Sequence, residues 1–115
     1  MEHDDTLENQ FCEITLTAPP TTWINEFCKS LVEKRLCACV NIDQNVNSVY
    51  RWDNLIHEEN ETRAKIHTRL SLSDQIIELV RQEHPYQEPS VIVTAIIGGS
   101  PSYFRWIENE TGKTS

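Results

Sequence analysis

One stretch near the C-terminal end limits this chain more than any other: His84-Pro85-Tyr86-Gln87-Glu88-Pro89, followed by Ser90-Val91-Ile92-Val93-Thr94-Ala95-Ile96-Ile97. Pro85 removes a backbone donor and biases His84 away from helical geometry, and Pro89 does the same to Glu88, so a helix arriving here must stop. The next eight residues carry no charge and are mostly β-branched or small, which predicts a central strand covered on both faces. Gly98-Gly99-Ser100-Pro101 then ends the strand and offers Ser100 as N-cap with Pro101 in the first helical position. The local order is helix, rigid turn, strand, turn, helix.

Upstream, Cys12, Ile14 and Leu16 alternate with Glu13, Thr15 and Thr17, a period of two that predicts a strand ended by Ala18-Pro19-Pro20. From Thr21 the period changes. Ile24, Phe27, Cys28, Leu31 and Val32 form the apolar stripe of an amphipathic helix, closed by Lys34 and Arg35, where cations suit its negative end. Leu36 to Ile42 reads as a second strand and Asp43-Gln44-Asn45 as a turn. Ser48–Trp52 and Leu55–Glu58 flank Asp53-Asn54, a pair that tolerates positive φ in a tight hairpin and leaves Tyr50 and Trp52 on one face. Thr62, Ala64, Ile66 and Thr68 alternate with Arg63, Lys65, His67 and Arg69, a strand with one wet or partner-facing side. Ser71-Leu72-Ser73-Asp74 supplies caps for a second helix with Leu72, Ile76, Leu79 and Val80 inside.

The resulting order is the doubled βαβ of an α+β, ferredoxin-like βαββαβ sandwich, with an extended hairpin and a short C-terminal helix from Pro101 to about Glu110. Residues 1–10 are expected to be a disordered tail, and 11–115 a single domain. The 115 residues suffice for one core, which oligomerisation would help to cover.

The His-Pro-Tyr-x-x-Pro turn entering an apolar strand resembles the CutA family, the divalent-cation-tolerance proteins. Leu36 to Ile42, Ser48 to Trp52 with Glu61 following, and Tyr103-Phe104-Arg105-Trp106-Ile107 resemble the family in order and spacing, and the likeness runs from about Ile14 to Glu110. It implies a non-enzymatic homotrimer, in which the hairpin and terminal segment pack on neighbouring subunits, acting in divalent-cation tolerance and the response to metal ions. It also implies that Trp52, Glu61, Tyr86 and Trp106 converge on a cleft between subunits, with His67 standing where the family has a Lys. The proposed family copper site uses a His matching His84, a Cys in the first strand and an acidic residue after the second proline. Here those last two positions hold Leu16 and Ser90, so copper or another divalent cation is expected to bind weakly, with His84 as the metal ligand. No cofactor is required by this reading. Its alternatives are an assembly or anchoring module and a small-ligand sensor similar to the PII signalling proteins.

Residue chemistry narrows the rest. With 18 acidic and 10 basic residues, a net charge of -8 and no run of more than two cations, nucleic acid is not an expected partner. No apolar run approaches the ~18 residues of a membrane span, and Met1 to Gln10 lacks the basic start and apolar core of a signal peptide, so a cytoplasmic setting is expected. Cysteines 12, 28, 37 and 39 lie in apolar segments without zinc-module spacing and are read as reduced thiols. Cys37 and Cys39, two apart on a strand, should point to one face. Met1-Glu2-His3, an amino terminus with His in third position, is a second candidate copper-favouring arrangement. No nucleophile–base pair, phosphate loop or hydride-cofactor fingerprint is present, and Gly98-Gly99 reads as a turn.

Overall fold

The computed structural model describes residues 10–112. The Met1-Glu2-His3 segment and all of the expected tail except Gln10 lie outside the described residues; the Gln10 carbonyl accepts the Leu70 N–H at 2.9 Å. The order is β1 (Phe11–Ala18), α1 (Trp23–Glu33), β2 (Cys39–Trp52), β3 (Leu55–Arg69), a single 3₁₀ turn (Leu70–Leu72), α2 (Ser73–Glu83), β4 (Val91–Ile96) and α3 (Pro101–Glu110). The four strands form one antiparallel sheet in the order β2-β3-β1-β4, the ferredoxin-like arrangement expected.

The period-two pattern of β1 becomes the division of the sheet into two faces. Cys12, Ile14, Leu16 and Ala18 are fully buried and face the helix layer, beside Ala64 and Ile66 of β3 and under Ile24, Phe27 and Leu31 of α1 and Ile76 and Val80 of α2. Burying one such side chain is worth about 1.5–3 kcal/mol, so this layer carries most of the fold's stability. The opposite face shows Glu13, Thr15 and Thr17 beside Arg63, Lys65 and His67, and α3 covers only one end of it. There Arg69 donates through Nε to Thr111 Oγ1 at 2.9 Å and through Nη2 to the Glu108 carbonyl at 2.5 Å, tying the helix end to β3.

Four local expectations change. The apolar run after Pro89 makes β4, which is an edge strand, not a central one. Val91 and Val93 pack on the core, while Ile92 and Ile97 are exposed, Ile97 completely. Its double-sided apolar character therefore marks a face that one chain leaves open. Asp43-Gln44-Asn45 does not end a strand. It is a β-bulge inside β2, where the register steps from Asp43↔Arg63 to Val46↔Glu61 with Asn45 at φ 61°. Val32 lies outside the buried stripe of α1 and is exposed. Finally, Cys37 precedes β2 and packs in the core, while Cys39 stands opposite His67 on the other face, so the two thiols do not share a side.

The bulge decides which side chains the hairpin presents. One extra residue in β2 reverses which of them point to which face. Cys39 and Asn41 share the open face before it; Ser48, Tyr50 and Trp52 share that face after it, across from Glu59, His57 and Leu55. The hairpin closes at Asp53 and Asn54, with φ of 56° and 64°, as a two-residue turn between right-twisted strands requires. It projects past the helix layer and stretches the molecule to 53 Å.

Candidate functional site

Along the hairpin, the open face of β2 and β3 meets the turn between α2 and β4 to form a cleft of about 540 Å³. Tyr50 and Trp52 come from β2, Glu61 from β3, and Tyr86 and Glu88 from the turn; Ser48 and Ser90 add hydroxyls. Glu61 is only 6% exposed and lines the cleft beside Tyr86. Burial first, and then its interaction with Glu61, push the Tyr86 hydroxyl up to about 12. Tyr50 donates its hydroxyl proton to Glu59 and stacks on His57, with ring centroids 5.3 Å apart. That bond, with the Glu59 and Glu61 charges, also raises the Tyr50 pKa. The cleft walls are aromatic, its fixed charge is negative, and no Lys, Arg or His among the described residues lines it.

His84 stands behind this turn, 8% exposed. Its Nδ1 accepts the Tyr86 N–H at 3.0 Å, which puts the ring proton on Nε2, and Nε2 donates to the Thr17 carbonyl at 2.8 Å. The ring packs edge-on against Trp23, centroids 4.9 Å apart. The His84 N–H caps α2 by donating to the Val80 carbonyl, but the side chain crosses to β1. Both imidazole nitrogens are thus spent inside the chain, and a metal ion can use one only after its hydrogen bond opens. Among the described residues, no group of three or more His, Cys, Asp or Glu side chains is placed to hold a metal ion.

The five ligand-site residues divide into two places in one chain. Trp52, Glu61 and Tyr86 line the cleft. His67 belongs to the far end of the open face, under α3, and Trp106 to α3 itself. There His67 Nε2 meets Glu13 Oε2 at 2.9 Å, His67 Nδ1 meets the Tyr103 hydroxyl at 2.7 Å, and Tyr103 stacks on Trp106 with centroids 5.6 Å apart. Burial first, and then Cys39 and Glu13, raise the Tyr103 pKa. The sequence placed Tyr50 on one hairpin face with Trp52 but not in the site, and Glu59 in neither. Counting back from the Asp53-Asn54 turn places Tyr50 opposite His57 and Ser48 opposite Glu59, so the signal was there in the hairpin register. The Tyr103–His67–Glu13 contact joins three distant segments and left no such trace.

Comparison with known proteins agrees with this architecture. The sequence model of the family described as CutA1 divalent ion tolerance protein matches residues 12–110. The chain is 36% identical over 100 residues to a mouse protein named Protein CutA, covering 87% of this chain and 56% of the mouse protein. It is 32% identical over 99 residues to the divalent-cation tolerance protein CutA of Thermus thermophilus, covering 86% of this chain and 96% of that one. It thus spans little more than half the length of the mouse relative and of an Arabidopsis thaliana relative, of which it covers 54%, and nearly all of the bacterial one. Among solved structures, CutA1 from Oryza sativa superposes with a TM-score of 0.88 at 31% identity, covering 95% of this chain and all of that one. The Thermus thermophilus protein gives 0.85 at 31% identity, with 89% and 99% covered.

Proposed function

The chain belongs to the CutA1 divalent ion tolerance family, whose members are small non-enzymatic proteins, and from that premise we propose that it is a trimeric cation-response protein whose working site is the hairpin cleft. The observation that carries this reading is the cleft: three aromatic walls around a buried carboxylate, with no cation among the lining residues. Assembly is supported by the exposed apolar side chains on the hairpin, on β4 and just after it, Val49, Leu55, Ile56, Ile92 and Ile97. A face of this kind calls for a cover. In the trimer, Trp106 and His67 of a neighbouring subunit would approach the cleft, completing the set that the resemblance implies.

Divalent metal is drawn to this site by Glu61 and Glu88 and is held weakly, because no pre-arranged set of ligands fixes its geometry. Copper adds His84 only by giving up the bond to Tyr86 or to Thr17, a cost that lowers affinity and selectivity. The setting proposed is cytoplasmic. Among the described residues, no helix is long and apolar enough to cross a membrane.

An assembly or anchoring role is the second reading, favoured by the same exposed apolar residues. A sensor similar to the PII proteins fits less well, since phosphates would meet carboxylates in this cleft. Sedimentation equilibrium combined with calorimetric titration of Cu(II) and Zn(II) into the full chain tests the proposal. The expected result is a species of three times the 13.3 kDa chain mass and weak metal binding that Glu88→Gln reduces without dissociating the trimer. A monomer would contradict it. Dissociation by Trp52→Ala, with metal binding otherwise unchanged, would favour the assembly reading.

A further inference from the structure

We propose that the hairpin cleft takes a small organic ammonium cation, held against the faces of Tyr50, Trp52 and Tyr86 and neutralised by Glu61 and Glu88. The inference rests on the reading of the cleft as the binding site, but not on metal binding. The lining of the cleft discriminates among ligand chemistries. An anion would meet Glu61 and Glu88 with no cation among the described lining residues to offset them, and the His67 that a neighbouring subunit would bring is already paired with Glu13 at 2.9 Å. His57 is stacked on Tyr50, and two flanking arginines are directed elsewhere. Arg63, two residues along β3 from Glu61, pairs with Asp43 at 3.3 Å. Arg51 lies between Tyr50 and Trp52 in sequence and so projects to the other face of the hairpin.

A bare metal ion would use the carboxylates but gain little from the rings, and no three-ligand group exists among the described residues. A neutral apolar molecule would gain from the rings but would further desolvate a carboxylate that is already 6% exposed, which is costly without a counter-charge. An ammonium group with carbon substituents uses both. Ring faces attract a cation through their quadrupole, and the carboxylates supply the balancing charge. A volume of about 540 Å³ is in the range of small-molecule sites and far beyond the needs of a lone metal ion. The raised pKa values of Tyr50 and Tyr86, to which the Glu59 and Glu61 charges contribute, are consistent with a negative potential across the space between the rings.

The test compares choline with its uncharged isostere 3,3-dimethyl-1-butanol, using the full chain and following Trp fluorescence and calorimetric heat. Putrescine serves as a second arm, to separate primary from quaternary ammonium. The expected result is saturable binding of choline or putrescine, with choline about tenfold or more tighter than the alcohol. Trp52→Ala should weaken ammonium binding by about tenfold, and Trp52→Phe should largely preserve it. Trp52 is 49% exposed, so its replacement leaves the core intact. Glu61→Gln should also weaken binding; if that variant does not fold, the choline–alcohol comparison and Trp52→Ala decide alone. Equal affinity for the alcohol and choline, or choline binding untouched by Trp52→Ala, would overturn the inference. So would absence of ammonium binding in a trimer that still takes up metal at the cleft, an outcome that leaves the family reading standing. Loss of metal binding and of the trimer as well would overturn both.

Discussion

His84 and Tyr86 hold each other in place: the Tyr86 N–H donates to His84 Nδ1 at 3.0 Å, and the proton thereby fixed on Nε2 reaches the Thr17 carbonyl of β1 at 2.8 Å. The turn that supplies one wall of the cleft is thus pinned to the sheet by a histidine with no free nitrogen.

His84→Ala is therefore expected to destabilise the metal-free protein by about 2–3 kcal/mol, from two lost hydrogen bonds, unpaired partners and lost packing on Trp23. Urea unfolding in the presence of a chelator measures it. A His84 that served only as a ligand would leave metal-free stability unchanged.

Alkaline pH should unfold the chain early. Burial raises Cys12 to about 11 and Cys28 and Cys37 to about 12 from an ordinary 9.0, and Tyr86 rises to about 12 from 10.0. These groups are raised in the folded state, so above pH 9 the unfolded chain releases protons that the native chain keeps. Stability is then full below about pH 9 and falls through pH 11–12, by about 1.4 kcal/mol per pH unit for each titrating group. Urea midpoints from pH 7.5 to 10.5 should fall progressively above 9. A flat series would show that these thiols are not held neutral by burial.

Asn54→Gly is expected to stabilise the hairpin by roughly 0.5–1 kcal/mol, because φ of 64° costs a side chain more than it costs glycine. Thermal unfolding measures this, and a lowered melting temperature would contradict it.

Residue order made the fold readable because β1, α1 and α2 announce themselves by period: Cys12, Ile14 and Leu16 at two, Ile24, Phe27 and Leu31 at the helical repeat. Elsewhere tertiary context overrides local pattern. Asn45 looks like a turn residue because positive φ suits it, yet the same conformation serves a bulge when strands continue on either side. Ile92 and Ile97 look like central-strand residues because composition cannot say whether a second face is covered by the same chain. For the site, Trp52, Glu61 and Tyr86 were identified through the family resemblance, and the bulge explains why they meet. With no extra residue in β2, Val49 and Arg51 would face the cleft in place of Tyr50 and Trp52. The internal bonding of His84 could not be foreseen, since Thr17 lies 67 residues away.

The chain's three tryptophans stand in three places: Trp52 in the cleft, Trp23 against His84 and Trp106 on α3. Their indole N–H signals in a proton–nitrogen NMR spectrum therefore report where a cation settles. Substoichiometric Mn(II), a paramagnetic divalent ion that prefers oxygen ligands, is the probe. If the cleft is the cation site, the Trp52 signal fades first. Trp106, brought to the cleft by a neighbouring subunit, should follow it, whereas Trp23 fading ahead of Trp52 would contradict the account.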